Sequence, residues 1–260
     1  MINQAHVGIG IAGREGMQAA RASDFAIGKF KFLKPLLFIH GREAYRRNAD
    51  LVVYNFYKNV LYVIVQFNFG FYSVFSGQTL YEPFIYQMYN MFFTGVAPMW
   101  WALFDFEHTK ETFMKTPRLY RIGMDHTKFS MKIFWTWIAF ATYQTVLLLF
   151  LCIVFIQMNP EVPEGGLIYT FWASGHMTYL ACVILANFCL LQMSNNLTGV
   201  GETLIFLQIA SFFVFFYGEN LAFTTSVLHR IWHEFVSSPA SWLGCLLAIT
   251  TPFTLDAIYR

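Results

Sequence analysis

The sequence predicts a mainly α-helical, polytopic membrane protein in which six transmembrane helices follow a small α/β segment. The first observation is composition: 57% of the 260 residues are hydrophobic and 12% are charged, whereas about a quarter of an average soluble domain is charged. The second is that the apolar residues form runs of the roughly 20 residues that a helix needs to cross a bilayer. Lipid is therefore the expected solvent for most of the chain.

The N-terminal segment, residues 1–30, has no such run. Its pattern predicts a strand over 5–11, a helix over about 15–23 and a short strand over 24–27. So few elements cannot bury their own apolar faces. We therefore expect this segment to be part of a larger α/β domain.

The same segment contains G-x-G-x-x-G, formed by Gly8, Gly10 and Gly13. A dinucleotide site also needs a complete doubly wound sheet and an acidic residue about 20 positions further on. Here the next acidic residue after Glu15 is Asp24, which follows Gly13 too closely. The glycines therefore predict a strand-to-helix turn that needs their backbone freedom, and no nicotinamide or flavin site.

A basic stalk helix over residues 31–50 leads into the membrane domain, residues 51–260. Six segments there are long and apolar enough to span a bilayer. The second, third and fourth contain no Asp, Glu, Lys or Arg. The predicted spans are 51–75, 84–104, 133–156, 167–193, 203–228 and 239–258.

The distribution of basic residues predicts the orientation. Eight of the 17 Lys and Arg lie between Arg14 and Arg47, and six more lie in the loop that follows the second span. Basic loops stay in the cytoplasm. Both termini are therefore expected to be cytoplasmic.

Cysteine usage indicates neither disulfides nor a metal site. The four cysteines fall in apolar stretches without C-x-x-C or Cys/His spacing, so we expect them to act as small apolar side chains. We also expect no nucleic-acid partner.

Several motifs, in order, resemble the phospholipid-flippase branch of P-type ATPases (type IV). "AHVGIGIAGREGMQAARASDFAI" is similar to the end of their haloacid-dehalogenase-like phosphorylation domain. The resemblance continues through "FLKPLLFIHGREAYRR", "YNFYKN", "QFNFGFYSVFSGQTLYE", "YNMFFTGVAP", "PRLYRIG" and "KFSMKIFWTW". It extends over essentially the whole chain, with a looser match in the last two spans.

The resemblance implies an ATP-driven translocase that moves phospholipid from the outer to the cytoplasmic leaflet. Such a parent protein uses Mg and ATP, resides in the plasma membrane or an endomembrane, and has a small two-span accessory subunit. The phosphorylated Asp and the nucleotide-binding domain precede this segment in the family. We therefore expect a longer reading frame upstream, and expect this chain alone to be inactive and to bind neither cofactor nor metal.

Two groups of site residues follow from the resemblance. The phosphorylation-domain remnant would include Gly8, Gly10, Glu15, Gly16 and Asp24. The lipid path would include Lys58, which the resemblance indicates, together with the nearby polar residues Asn59, Asn90 and Thr94, whose side chains can hydrogen-bond a lipid phosphate or carbonyl.

Physical alternatives accompany the lipid-path residues. A Lys at the centre of a span costs roughly 2.5–3.5 kcal/mol, but Lys58 could instead be an anchor that extends to the interface. Gln66, Asn68 and Thr94 could serve only as hydrogen-bonding contacts between helices. Pro98 is expected to bend the second span.

Two other functional classes compete with lipid transport. Pumps for hard cations need several oxygen ligands, and the first four spans contain no Asp or Glu, which disfavours a cation pump fragment. The later spans contain Glu219, without an evident partner, and Asp256. A non-enzymatic six-span scaffold remains the second alternative.

Three further sets of polar residues have structural and functional interpretations. Arg42, Arg46 and Arg47 could attract anionic lipid or be ordinary stalk residues. His176 is expected to be a neutral, hydrogen-bonded residue of the bundle. Asp105 and Glu107 are expected to share a role at the cytoplasmic edge.

Overall fold

The computed structural model describes residues 4–13, 16–158, 171–196, 198–222, 231–237, 242–243, 245–247 and 249–250. The chain is mainly helical with a small two-stranded sheet, as predicted. It divides into a first unit, Met1–Asp50 with Phe106–Ser130, and a second unit, Leu51–Asp105 with Met131–Arg260.

The strands are β1 (Ile9–Ile11) and β2 (Phe25–Ile27). The helices in chain order are α1 Gln18–Arg21, α2 Leu33–Pro35, α3 Arg42–Tyr72, α4 Pro83–Met88, α5 Val96–Phe104, α6 Lys110–Lys115, α7 Arg121–Met124, α8 Met131–Met158, α9 Phe171–Met193, α10 Gly199–Ala222 and α11 Ile231–Ser237.

In the first unit, β1 and β2 pair in parallel, with Ile9 opposite Phe25, and α1 lies between them in the sequence. Gly10 lies against α1 so closely that an added Cβ would be 2.6 Å from the carbonyl oxygen of Ala19. The carboxylate of Asp24 accepts a hydrogen bond of 2.7 Å from the backbone N–H of Gly8. Gly10 therefore serves the contact between strand and helix, and Gly8 is linked to the residue before β2.

The beginning of α3 carries a buried ion network within the first unit. Arg42 bonds to the carboxylates of Glu43 and Glu107, and Arg46 is 2.9 Å from Glu43. The two arginines are 3% and 0% exposed. This burial favours the structural interpretation of both arginines over attraction of anionic lipid at the surface.

Asp105 and Glu107 do not share a role. Asp105 belongs to the second unit, where its Oδ1 accepts hydrogen bonds from the backbone N–H groups of Asn195 and Asn196, at 3.0 and 2.9 Å. It therefore fixes the turn between α9 and α10. Glu107 instead bonds to Arg42 in the first unit.

Among the described residues, three helices are long and apolar enough to cross a membrane. These stretches are Met131–Phe150, Phe171–Met193 and Gly199–Leu221. In the spanning stretch of α9, 78% of the residues are buried, against 28% in α8 and 22% in α10. α9 therefore occupies the core of the second unit.

The first, second and sixth predicted spans differ in how far the structure follows them. α3 contains residues 51–72 of the first predicted span as one continuous helix, and residues 73–75 lie in the turn that follows it. The second predicted span, 84–104, is not one continuous helix, because it is divided into α4 and α5. Most of the sixth, 239–258, lies outside the described residues, and the short helix α11 precedes it.

The segment between α3 and α4 is exposed over residues 74–79, but its end at Leu80 and Tyr81 packs into the core. Leu80 is 2% exposed, and its backbone N–H donates a 2.9 Å hydrogen bond to the side-chain oxygen of Gln66. At Gly175 of α9, an added Cβ would lie 2.3 Å from the carbonyl oxygen of Leu80. Only glycine therefore permits this contact.

Gly175→Ala should destabilise the protein by about 1–3 kcal/mol, because overpacking against a backbone atom forces the segment away from α9. Gly218→Ala is the matched control: it also lies in a helix, and an added Cβ there meets no atom within 4 Å. Thermal unfolding in lipid nanodiscs measures both. Equal stability of the two variants would contradict the packing argument.

The ion network predicts a loss of stability in acid. Burial alone would raise the pKa of Glu107, but the hydrogen bond and charge of Arg42 outweigh it and lower the pKa below its usual value. A lowered folded-state pKa adds stability above the unfolded value of about 4.3, and this is lost as the pH falls through the folded value.

Glu107→Gln should therefore cost about 1 kcal/mol near neutral pH, a modest value because the carboxylate is partly exposed. The difference from wild type should shrink below about pH 4. Unfolding at a series of pH values tests this. Glu111→Gln, at an 85% exposed carboxylate, should show no comparable dependence; a difference for Glu107 that is constant with pH would contradict the assignment.

Candidate functional site

The second predicted span is interrupted inside the apolar unit. α4 passes into a π-helical turn, Tyr89–Phe93, and α5 begins at Val96. Thr94 and Gly95 form the break between them. Backbone groups at such a break lose helical partners, and in a membrane each must find another one.

Pro98 determines which backbone carbonyl lacks a hydrogen-bond donor within the helix. In an α-helix, the carbonyl of Thr94 would accept from the N–H four residues later, but residue 98 is proline and has no N–H. Gly95 is required at the break, because an added Cβ would lie 2.6 Å from the carbonyl oxygen of Asn90. The bend was expected at Pro98, whereas the helix is interrupted before that residue, at Thr94 and Gly95.

Lys58 of α3 supplies the missing donor. Its ammonium nitrogen lies 2.9 Å from the carbonyl oxygen of Thr94 and 3.4 Å from the Thr94 hydroxyl. The Tyr89 hydroxyl donates to the carbonyl of Lys58 at 3.0 Å. α3 and the interrupted helix are therefore joined by hydrogen bonds, and each of them contributes a donor and an acceptor.

Two amides that sequence analysis did not select complete the break. Asn187 of α9 donates a 2.9 Å hydrogen bond to the carbonyl of Phe93. With the amide of Gln208 on α10 oriented to satisfy its neighbours, its oxygen accepts from the N–H groups of Gly95 and Val96, both at 2.9 Å, and its nitrogen donates to Asn187. The signal in the sequence was an amide inside each of these apolar spans.

The other predicted polar residues lie elsewhere. Asn59 and Asn90 are exposed, and Asn59 donates to the carbonyl of Asn55 on its own helix. Asn68 donates to the hydroxyl of Thr145 on α8 at 3.3 Å, and Gln66 holds Leu80 as described above. Of the four proposed lipid-path residues, the structure thus brings together Lys58 and Thr94.

Aromatic side chains enclose this site. Tyr62 stacks on Tyr89 with ring centroids 4.2 Å apart, and the ring of Tyr54 lies 6.0 Å from the Lys58 nitrogen. Lys58 is 5% exposed and Thr94 is fully buried. The environment is therefore of low polarity, which strengthens electrostatic interactions of the ammonium group.

The arrangement can bind an anion. In the described part of the second unit, no carboxylate forms an ion pair with Lys58, which bonds to neutral oxygen atoms of Thr94. A buried cation without a counter-charge is costly. A phosphate that replaces the Thr94 carbonyl at the ammonium group would supply both the charge and the acceptor oxygens.

The described residues of the N-terminal segment form no comparable site. Gly8, Gly10 and Asp24 make the structural contacts given above, Gly16 has a positive φ of 143°, and Glu15 lies outside the described residues. Among the described residues, no cluster of three or more His, Cys, Asp or Glu could hold a metal ion.

Comparison with known proteins gives one consistent result. Residues 20–260 match the family described as the C-terminal region of phospholipid-translocating P-type ATPases. A phospholipid-transporting ATPase of Schizosaccharomyces pombe is 39% identical over 181 residues, which cover 70% of this chain and 14% of that protein.

Two further relatives agree. Phospholipid-transporting ATPase DRS2 of Saccharomyces cerevisiae is 37% identical over 71% of this chain. Phospholipid-transporting ATPase IH of Mus musculus is 31% identical over 100% of it. This chain spans between 14% and 22% of the length of these three relatives.

Loss of the Lys58 ammonium should be partly compensated by loss of the proline ring. Lys58→Met leaves the Thr94 carbonyl buried without its donor, at an expected cost of about 1–3 kcal/mol. Pro98→Ala restores an N–H four residues after Thr94. The double variant should therefore be less destabilised than the sum of the single variants, which chemical or thermal unfolding measures as a coupling energy. Additive effects would show that Lys58 does not act through this carbonyl.

Proposed function

Because this chain belongs to the family of C-terminal regions of phospholipid-translocating P-type ATPases, we propose that it forms the membrane part of an ATP-driven phospholipid translocase. The activity moves phospholipid from the outer to the cytoplasmic leaflet. The observation that carries the proposal is the buried Lys58 ammonium at an interrupted helix. Interrupted helices are a recurring means by which transporters expose backbone groups to a substrate.

The proposed role of Lys58 is to attract the lipid phosphate. In the arrangement described above, the ammonium group rests on the Thr94 carbonyl. An arriving phosphate oxygen competes for it with full negative charge, whereas the carbonyl offers only a dipole. Asn59 and Asn90 are proposed to contact the lipid from their exposed positions.

The rest of the chain is proposed to follow the family plan. Residues 1–30 close a haloacid-dehalogenase-like phosphorylation domain, residues 31–50 form the stalk, and six spans follow, with both termini cytoplasmic. The parent protein would use ATP and Mg and would associate with a small two-span accessory subunit in the plasma membrane or an endomembrane. The parallel β1–α1–β2 unit and the long helix α3 support this plan.

Replacement of Lys58 tests the function directly. We would fuse this chain to the catalytic portion of the Schizosaccharomyces pombe relative, in place of its matching segment, and measure uptake of fluorescent phospholipid by proteoliposomes. Lys58→Met should lower transport at least about tenfold, the effect expected from losing one buried charge interaction of 1.4 kcal/mol or more.

Lys132→Met is the control, because Lys132 is exposed at the start of α8. It should leave transport unchanged. Unchanged transport by an active Lys58→Met fusion would contradict the proposed role of this residue. Lack of transport by a folded, phosphorylated wild-type fusion would count against the function proposed for the chain.

A further inference from the structure

A second buried charge site lies between α9 and α10. His176 is 3% exposed and Glu219 is 2% exposed, and the imidazole Nε2 lies 3.7 Å from the Glu219 Oε2. Within the described residues, this Nε2 and both carboxylate oxygens have no hydrogen-bond partner. The ring of Phe216 stacks on His176 with centroids 4.4 Å apart.

The other imidazole nitrogen determines where the protons can be. Nδ1 of His176 lies 2.7 Å from the carbonyl oxygen of Trp172. Because a carbonyl can only accept, Nδ1 must carry a hydrogen and donate it. In a neutral ring, Nε2 then has a lone pair that faces the Glu219 oxygen.

Without a further proton, the lone pair of Nε2 and the negatively charged carboxylate of Glu219 would face each other in an apolar interior. Such an arrangement is strongly unfavourable, since a buried ion needs a partner and hydrogen bonds. One added proton removes the conflict in either of two ways. It resides on Glu219, which then donates to Nε2, or on Nε2, which then faces the carboxylate as imidazolium.

No Lys or Arg of the described second unit can neutralise Glu219 instead. Lys58 is bound at the Thr94 break, and Gln208 of α10 contacts the same break. Glu219 lies 11 residues beyond Gln208 on α10, which is about 16 Å along the helix at 1.5 Å per residue. Lys132 is exposed at the start of α8.

The surrounding elements contribute other titratable groups. Burial, together with the neighbouring carboxyl of Glu219, raises the pKa of Glu82 to about 7. The hydroxyl of Tyr179 donates to the carbonyl of Ile85, and His233 on α11 is exposed. Cys182 lies further along α9, 3.8 Å from the Tyr81 hydroxyl.

We propose that His176 and Glu219 form a buried proton-binding site that holds one proton between them. The side chains are 3% and 0% exposed, and a proton is what the facing Nε2 and carboxylate oxygens lack. Glu82 accepts hydrogen bonds from the first N–H groups of α4, those of Phe84 and Ile85. It offers a route for proton exchange from the end of that helix.

The test is spectroscopic and requires no transport activity. This chain in lipid nanodiscs would be studied at about pH 8, where a free Glu and a free His are both deprotonated. Infrared absorption reports a protonated carboxyl group, and 15N NMR reports an imidazolium ring. We expect one of these two signals, from Glu219 or from His176 respectively.

Variants assign the signals. A carboxyl band that is lost in Glu219→Gln and kept in Glu82→Gln, or an imidazolium resonance that is lost in His176→Asn, supports the proposal. A carboxyl band that is also lost in Glu82→Gln would overturn it, because the proton would then lie between the two carboxyl groups. Glu202→Gln, on the first turn of the same helix, is the matched control and should leave both signals unchanged. An ionised Glu219 beside a neutral His176 in the wild-type chain at this pH would overturn it.

Discussion

The structure of the second unit depends on one constraint: an interrupted helix inside an apolar bundle must have every open backbone group satisfied. Three neighbouring helices each contribute one polar side chain, Lys58, Asn187 and Gln208, to the break at Thr94 and Gly95. These contacts also fix how α3, α9 and α10 pack against the interrupted helix. Polar residues in this bundle are therefore part of its architecture as well as candidates for function.

Charge is used differently in the two units. In the first, arginines and carboxylates are neighbours on α3 and compensate one another, so that Arg46 can be fully buried. In the second, Lys58 and Glu219 belong to separate arrangements, and each acts through a neutral or titratable partner. An isolated buried charge of this kind responds to a counter-ion or a proton, whereas a compensated network resists both.

Much of this organisation could be predicted from local pattern. Period and length gave β1, α1, β2, α3 and the spans that contain α8, α9 and α10, because those features depend on residues close in sequence. The distinctive segments of the family were also readable, from "AHVGIGIAGREG" to "KFSMKIFWTW". The resemblance indicated Lys58 and its polar chemistry indicated Thr94, and these two residues are in contact.

The remainder depended on tertiary contacts. Apolar residues continue through 84–104, so periodicity gave no sign that Thr94 and Gly95 would leave the helix; the break is stabilised by side chains from distant parts of the chain. The contact between Glu219 and His176 could not be predicted for the same reason, since His176 lies on another helix. Asn90 was selected from its motif, but its face of the π-helical turn is exposed.

The burial of α9 has a consequence for biogenesis. This helix is long and apolar enough to cross a membrane, yet it carries Asn187 and His176, which are buried inside the bundle. Because synthesis proceeds from the N-terminus, the Phe93 carbonyl is in place before Asn187 emerges from the ribosome. Glu219 arrives only with the next helix. During that interval His176 would face lipid or an insertion factor, and assembly of α10 onto α9 would end the exposure.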